Sequence, residues 1–324
     1  MLLTGASGFV GSHILDSLLE HQISTAVLLR TTSSSRFLSQ QLNQGEVRHG
    51  SIEEPESLFK ALQGITHIIH CAGRTRAVSR SEFYQTNHLG TRHVIDAINS
   101  QGSGIERLIH ISSLAVCGPA TAQDPANEKT PTRPVSDYGK SKLQAELEVR
   151  EHCRAPFTII RPPAVYGPRD LGFFSMFAAI KRHLLPRPKK GQALSMVYAR
   201  DLAEGVVNCL TSRATAGQIY FVASPEVVSG RGMAEEIARQ MEDWTIPLPM
   251  PGLVLWVICL LQQCFSQLTG RASLLNLQKY AELRAPGWVC SPAKFQADTG
   301  FTCQTTLRQG IGQTLEWYRR EHWL

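Results

Sequence analysis

The stretch Thr4-Gly5-Ala6-Ser7-Gly8-Phe9-Val10-Gly11 joins a short apolar run to a helical pattern. Its glycines have the spacing GxxGxxG, a variant of the GxGxxG fingerprint of dinucleotide-binding folds. Glycine permits a tight turn and a close backbone approach, so amide groups and the positive end of a helix can face a pyrophosphate. Ile14, Leu15, Leu18 and Leu19 then form one apolar face of the helix. The stretch therefore predicts a strand, a phosphate-binding turn and a helix.

Apolar runs and amphipathic stretches alternate through the first half of the chain. The strand-like runs are Ala26–Leu29, Ile65–His70, Leu108–Ile111 and Phe157–Ile160, and the helical patterns include Gly11–Glu20 and Phe83–Asn99. This alternation predicts an α/β fold, a Rossmann-type doubly wound parallel sheet covered on both faces. We expect residues 1–165 to form this dinucleotide-binding domain, with 196–223 returning to it. Residues 166–195 and 224–324 are expected to form a smaller, mostly C-terminal substrate lobe.

The residues after the second strand favour NADP(H) as the cofactor. An acidic side chain at this place would hold the ribose hydroxyls of NAD, but Arg30 follows the strand here. Arg30, the hydroxyls of Ser33–Ser35 and Arg36 can offer charge-assisted hydrogen bonds to a 2′-phosphate. The alternative interpretation is an exposed basic loop, which leaves NAD(H) open as the cofactor.

Tyr138 and Lys142 are four residues apart in a helical pattern that follows a proline-rich loop. That spacing places both side chains on one face of the helix. A tyrosine ordinarily ionises near about pH 10, so an acid/base tyrosine needs nearby positive charge, which Lys142 and an oxidised nicotinamide would supply. Ser113 ends a strand-like run and can donate a hydrogen bond to a carbonyl oxygen. These side chains predict proton transfer at a carbonyl or hydroxyl group.

Charge and cysteine usage exclude several classes of protein. The formal net charge of +6 is spread along the chain rather than gathered in one stripe, so no nucleic-acid partner is expected. The eight cysteines contain no CxxC pair and the chain runs directly into the glycine motif, so we expect a cytoplasmic protein without an export signal. No metal site is expected, because His67 and His70 are three residues apart in a predicted strand and point to opposite faces.

The run Leu253–Leu261 is continuously apolar, and Gln262 and Gln263 end it short of a membrane span. We expect a buried helix or a pocket wall, with peripheral membrane contact as the alternative. A basic cluster is expected to be a solvated loop, with an anionic-ligand or membrane-surface patch as the alternative. The cluster consists of Lys181, Arg182, Arg187, Lys189 and Lys190.

Seven segments follow one another along the chain: TGASGFVG, GSIEEPESLFKAL, HCAG, TNHLGTRHVIDA, ISSLAVCG, YGKSK and RPPAVYGP. In these segments, their order and the C-terminal stretch from RAPGWVCSPAK to TLEWYRREHWL, the chain resembles the extended short-chain dehydrogenases/reductases of the NAD-dependent epimerase/dehydratase type. The resemblance implies an NAD(P)-dependent enzyme of the Rossmann fold.

The resemblance also implies roles for individual residues. Tyr138 would be the general acid/base, Lys142 would lower its pKa and hold the nicotinamide ribose, and Ser113 would polarise the carbonyl. Asn87 would support a proton relay. The implied cofactor contacts are Gly5, Ser7, Gly8, Phe9, Val10 and Gly11 at the pyrophosphate, Ser51 and Ile52 at the adenine, Ala72 and Gly73 on the adenosine side, and Pro162 and Pro163 at the nicotinamide.

Two positions depart from the family's pattern. Ser51 stands where the family usually has an aspartate, and Cys117 stands where many sugar-nucleotide enzymes carry a tyrosine. The apolar stretch 252–265 is instead similar to the dihydroflavonol-reductase and 3-beta-hydroxysteroid-dehydrogenase branches, whose substrates are larger and more apolar.

Three functions are therefore weighed. The leading hypothesis is an NADP-dependent oxidoreductase that transfers a hydride between the nicotinamide and a carbonyl or hydroxyl carbon of an apolar small molecule, which would be steroid-like, flavonoid-like or polyketide-like. The alternative enzyme is an NAD-dependent nucleotide-sugar epimerase or dehydratase. The third is a non-catalytic NADP(H)-binding regulator or assembly subunit, against which the presence of Ser113, Tyr138 and Lys142 counts. A homodimer is left open.

Overall fold

The structure, a computed structural model, describes residues 1–38, 45–188 and 192–324. Lys189 and Lys190 of the basic cluster lie outside the described residues. The strands are β1 (Leu2–Thr4), β2 (Ala26–Leu29), β3 (Glu46–His49), β4 (His67–His70), β5 (Arg107–Ile111), β6 (Phe157–Ile160), β7 (Ala164–Tyr166), β8 (Leu184–Pro188), β9 (Ala193–Tyr198), β10 (Gln218–Tyr220), β11 (Val227–Ser229), β12 (Ile246–Met250) and β13 (Gly287–Trp288). The helices are α1 (Phe9–Glu20), α2 (Pro55–Ala61), α3 (Arg80–Phe83), α4 (Gly90–Ser100), α5 (Asp137–His152), α6 (Leu171–Lys181), α7 (Ala199–Thr211), α8 (Gly230–Met241), α9 (Gly252–Thr269), α10 (Leu277–Arg284), α11 (Ala293–Thr299) and α12 (Leu307–Arg320).

The central sheet has seven parallel strands in the order β10-β6-β5-β4-β1-β2-β3. Its strands therefore all end at one edge. The chain builds outward from β1 in one direction and from β4 in the other, so a crevice opens between the carboxyl ends of these two neighbouring strands. The predicted Rossmann-type α/β fold is confirmed.

Alternate residues of β1 pack on opposite faces of the sheet, as the pleat of a strand requires. Leu3 lies in the apolar cluster that contains Ile14 of α1, whereas Leu2 lies in the cluster that contains Ile95 of α4. All these side chains are buried. The sheet is thus covered on both faces, which fixes the position of its carboxyl edge.

The lobe contains two small sheets. In the larger one, β9 pairs with β7, β11 and β13, and in the other β8 pairs with β12. The segment 196–223 is divided between the two parts of the molecule. Its first residues belong to β9 in the lobe, whereas α7 packs on α1 and β10 completes the central sheet beside β6.

Helix α9 differs from the prediction in length and burial. It extends to Thr269, past the two glutamines that end the apolar run, and its mean hydropathy of 1.5 over 18 residues is enough by length and composition to cross a membrane. Only 11% of it is buried. The expectation of a buried helix is therefore wrong, because the lobe covers one side of α9 and leaves the other open.

Candidate active site

The glycine-rich turn lies between β1 and α1 at the crevice. Gly5 has a φ of +78°, which favours glycine, and a Cβ there would lie 2.6 Å from the amide nitrogen of Ala72. A Cβ on Gly11 would collide with the carbonyl oxygen of Gly5. The turn therefore folds tightly onto the loop after β4, and larger residues would open it.

The first turn of α1 is open to an anion. Its N-cap residue Gly8 has no side chain to cap the amide groups, and the first turn carries no acidic residue. Such amides have no partner inside the helix and, with the helix dipole, favour a phosphate group. Ser7, Phe9 and Val10 are partly exposed around them. These residues fit the pyrophosphate of a dinucleotide.

The loop after β2 carries the residues expected to select the cofactor. The Ser33 hydroxyl accepts a hydrogen bond from the backbone of Arg30, and the Ser34 hydroxyl accepts one from the backbone of Arg36. Both arginine side chains are exposed. The guanidinium of Arg36 lies 4.8 Å from the ring centroid of Trp323, a contact that sequence reasoning missed. An arginine stacked in this way keeps its in-plane N–H groups available to a phosphate.

The turn after β3 contains Ser51 and Ile52, both buried. The Ser51 hydroxyl accepts a hydrogen bond from the backbone of Glu53, and its backbone N–H donates to the Ser57 hydroxyl. Ile52 lies against Gly90 at the start of α4. The serine therefore stabilises this turn.

Asn87 lies in a π-helical segment, Tyr84–Leu89, between α3 and α4. The helical pattern predicted for Phe83–Asn99 is thus helical in the structure, with π-helical turns in this part. The Asn87 amide donates to the Ser141 hydroxyl and to the carbonyl oxygen of Arg74, and accepts the N–H of Arg74 at 2.7 Å. A Cβ on Gly73 would lie 3.2 Å from the Asn87 Oδ1 atom. Asn87 thus fixes the loop after β4 against α5.

That loop begins with Cys71 and Ala72, which follow β4. Ala72 donates its N–H to the hydroxyl of Thr4. The predicted adenosine-side residues Ala72 and Gly73 therefore border the glycine turn and the lysine of α5, since Gly73 also approaches the Lys142 ammonium.

The first turn of α5 approaches the turn that follows β5. The Ser136 hydroxyl caps the helix by accepting the N–H of Gly139. A Cβ on Gly139 would lie 2.5 Å from the carbonyl oxygen of Ala115, so this glycine lets the two segments touch. Across the contact, the Ser113 hydroxyl lies close enough to Tyr138 to influence the pKa of the tyrosine. The predicted serine and tyrosine are thus brought together.

Lys142 is buried one turn further along α5 and donates to the carbonyl oxygen of Ile111 at 2.6 Å. Burial lowers the pKa of this lysine to about 8. Burial raises the pKa of Tyr138 to about 12, and the neighbouring Ser113 hydroxyl acts in the opposite direction. The chain by itself therefore does not lower the pKa of this tyrosine, as the resemblance implies that it should. Two positive charges are expected to lower the tyrosine pKa, and one of them belongs to the oxidised nicotinamide rather than to the chain.

A buried ion pair behind the serines was not predicted. Arg161 Nη2 lies 2.6 Å from Glu146 Oε2, and the two side chains are 3% and 1% exposed. Ser112 donates to the same carboxylate, and Arg161 also donates to the sulfur of Cys117. Cys117 therefore faces the interior.

Pro162 and Pro163 are buried at the carboxyl end of β6. The carbonyl oxygen of Pro162 accepts the N–H of Leu114, directly after the candidate catalytic serine. The two prolines therefore close the side of the site that lies beyond β5.

A cleft lies at the start of α5. Phe83 lines it, and the Phe83 ring centroid lies 6.1 Å from that of Tyr138, which is not itself a lining residue. Gln263 and Ser266 of α9 form part of its wall, whereas no residue of the apolar run Leu253–Leu261 lines it. The Gln278 amide donates to the Asp137 carboxylate at 2.6 Å, which fastens α10 to the catalytic helix. The lining residues include Ala77, Phe83, Asp137, Gln263, Ser266 and Gln278.

Comparisons with known proteins agree with this geometry. The model of the NAD dependent epimerase/dehydratase family matches residues 1–223. The chain is 28% identical to a ceramide reductase from Caulobacter vibrioides, over 99% of this chain and 95% of that protein. It is 27% identical to a UDP-glucose 4-epimerase from Vibrio cholerae, over 98% and 94%.

Among solved structures, the dTDP-glucose 4,6-dehydratase from Streptomyces venezuelae, with NAD bound, superposes with a TM-score of 0.80 at 21% identity, covering 99% of this chain and 98% of that one. This likeness shows the fold. The chain therefore belongs to the NAD-dependent epimerase/dehydratase family of extended short-chain dehydrogenases/reductases, and it is an enzyme that works with a nicotinamide dinucleotide.

Proposed function

We propose that the protein is an NADPH-dependent reductase of a carbonyl group on a largely apolar substrate, or the corresponding dehydrogenase in the reverse direction. The observation that carries the proposal is the loop after β2, where Arg30 and Arg36 are exposed beside serine hydroxyls. Guanidinium groups and hydroxyls bind a 2′-phosphate, which NADP has and NAD lacks.

The residues around Tyr138 support carbonyl chemistry. When bound in the crevice, a nicotinamide would supply the hydride that the carbonyl carbon takes up. Ser113 would donate a hydrogen bond to the carbonyl oxygen and Tyr138 would give that oxygen its proton, so the product would be an alcohol. Lys142, one helical turn from Tyr138, would supply positive charge that stabilises the phenolate that remains.

The apolar substrate is supported by one relative. The name of the Caulobacter relative, ceramide reductase, describes a reductase that acts on a lipid.

The cofactor part is tested by calorimetric titration with NADPH and NADH. We expect NADPH to bind more tightly and the Arg30→Ala variant to lose roughly ten- to hundredfold in NADPH affinity, because a charge-assisted hydrogen bond disappears. Affinity for NADH should be unchanged. Arg213→Ala, at an exposed arginine in another part of the chain, is the matched control.

The chemistry is tested by NADPH oxidation with a panel of long-chain ketones. Tyr138→Phe should bind NADPH normally and lower kcat by roughly 10²- to 10⁴-fold. The second candidate function is a nucleotide-sugar epimerase, which the Vibrio relative favours. If the purified protein retains NAD tightly and converts UDP-glucose, the epimerase function replaces the proposed reductase function.

A further inference from the structure

Helix α9 carries its apolar side chains on the outside. The side chains that it buries against the lobe include Cys259 and Ser266, and the neighbouring Gln262 and Gln263 are partly buried. Its solvent side is a stripe at helical spacing, and the stripe consists of Val254, Val257, Leu261, Phe265 and Leu268. Of these, Leu261 and Phe265 are each 64% exposed and Leu268 is 86% exposed. The usual polarity of a surface helix is therefore reversed.

The exposed apolar surface continues beyond the helix. β12 leads directly into α9, and its Ile246 and Leu248 are exposed together with Trp244 just before the strand. Leu184 of the paired strand β8 is exposed as well. Large exposed apolar side chains therefore occur on α9 and on the strand pair β12 and β8, and such apolar surface marks a binding surface on a folded protein.

We propose that α9 and β12 form a membrane-binding surface that lies flat on a bilayer containing anionic phospholipid. No Asp, Glu, Lys or Arg occurs in the 18 residues of α9. Exposed basic residues flank the surface, with Arg271 after α9 and Lys181 and Arg182 before β8. An apolar face with tryptophan and a basic border is the pattern of helices that bind the bilayer interface.

Charge has the smaller part in this binding. Glu242 and Asp243 precede Trp244, so the excess of positive charge near β12 is modest. Burial of the leucine, phenylalanine and tryptophan side chains in the bilayer interface is the main source of affinity, and the basic residues add to it when anionic lipid is present.

The helix lies along the membrane and does not cross it. The side-chain oxygens of Gln262 and Gln263 accept the backbone N–H groups of Leu275 and Leu277, which bind α9 to the segment leading into α10. A crossing helix would lose both hydrogen bonds and expose the glutamines to lipid. Gln263 and Ser266 also line the cleft at the start of α5, so the bilayer surface and this cleft would lie on different sides of α9.

The proposal is tested by flotation of the full-length protein with vesicles of phosphatidylcholine containing about one-third phosphatidylglycerol, without cofactor or substrate. The wild type should float with these vesicles, and Phe265→Glu and Leu261→Glu should each bind roughly tenfold more weakly or worse. Phe59→Glu, which changes an exposed phenylalanine on α2, is the matched control and should float like the wild type. NADPH titration of each variant shows that it is folded, and it measures the cofactor proposal separately.

Two results would overturn the proposal. One is a wild type that does not float, or a Phe265→Glu variant that floats equally well. The other is a dimer in light scattering that Phe265→Glu dissociates, without vesicle binding, because a second copy of the chain would then cover the stripe.

Discussion

Arg36, one of the two arginines proposed to select the cofactor, is supported by an aromatic side chain from the far end of the sequence. Trp323 stacks on Tyr318, with ring centroids 5.4 Å apart and planes 12° from parallel. The Tyr318 hydroxyl donates to the carbonyl oxygen of Asp170 and is fully buried. The tryptophan is thus fixed by the core of the lobe, and it limits the rotamers open to Arg36.

Replacing this tryptophan should weaken NADPH binding without touching the cofactor itself. In Trp323→Ala the Arg36 side chain loses a stacking contact of about 1 kcal/mol and gains freedom, so we expect roughly a fivefold rise in the Kd for NADPH. The Kd for NADH should stay the same, because that cofactor has no 2′-phosphate. Trp244→Ala, at an exposed tryptophan elsewhere in the lobe, serves as the control. An equal loss for both cofactors would assign Trp323 a general structural role.

At the scale of elements, the site depends on how closely α5 approaches the turn after β5. Gly139 is the point of contact, since its missing side chain leaves room for the carbonyl oxygen of Ala115. Pro134 packs on the same place, where a Cβ on Gly139 would lie 3.0 Å from its Cβ atom. The helix therefore has no space in which to accommodate a methyl group.

Gly139→Ala should lower the kcat of the reductase reaction while the protein stays folded. The added methyl moves the first turn of α5, and with it Tyr138, away from Ser113, so kcat should fall at least roughly tenfold because catalytic groups must be held closely in position. NADPH binding should persist, since the contacts of the glycine turn with the loop after β4 do not involve Gly139. Gly104→Ala is the control, because a Cβ there meets nothing within 4 Å. Full activity of Gly139→Ala would show that this contact does not position the tyrosine.

Local patterns account for the parts of the site that were predicted. The glycine turn and the pair Tyr138 and Lys142 each lie within one turn or one helix, so spacing alone relates their side chains. The contact of Arg36 with Trp323 and the pair Glu146 and Arg161 join separate elements and leave no local pattern.

The orientation of α9 could not be predicted for the same reason. Apolar composition predicts a helix, but its exposed side is set by what the lobe places against it. The Phe83–Asn99 pattern likewise does not reveal the π-helical turns that bring Asn87 inward.

At the scale of the whole molecule, three neutral histidines are buried around the cofactor domain in the part of the chain that the structure describes. Burial lowers the pKa of His13 to about 4 and that of His70 to about 3, and it lowers the pKa of His110 well below its ordinary value. His110 has the least favourable surroundings of the three, because neither of its buried ring nitrogens has a hydrogen-bond partner among the described residues. Burial also raises the pKa of Asp170 to about 6.

These shifts should make the fold sensitive to acid. Below about pH 6.5 the three histidines bind protons in the unfolded chain but not in the folded chain. The free energy of unfolding therefore falls as the pH falls. Asp170 offsets one of them below about pH 6, because its carboxyl binds a proton in the folded state first. The net uptake of about two protons corresponds to about 3 kcal/mol per pH unit near pH 5. Urea unfolding curves at about pH 7 and about pH 5 measure this slope.

His110→Leu separates this effect from general acid unfolding. The variant should reduce the slope by about one proton and should be at least as stable as the wild type at about pH 7, because two unpaired buried nitrogens are removed. Identical slopes in variant and wild type would exclude His110 as a source of the sensitivity.

The last strand of the central sheet, β10, comes from residues that follow β7, α6, β8 and β9 in the chain. A ribosome releases the chain from its amino end, so β6 stays an open edge, and α1 lacks the cover of α7, until these later segments have emerged. A chain synthesised as far as residue 165 already holds the glycine turn, the tyrosine and the lysine, yet its sheet is one strand short. Completion of the cofactor domain during synthesis therefore waits for Tyr220.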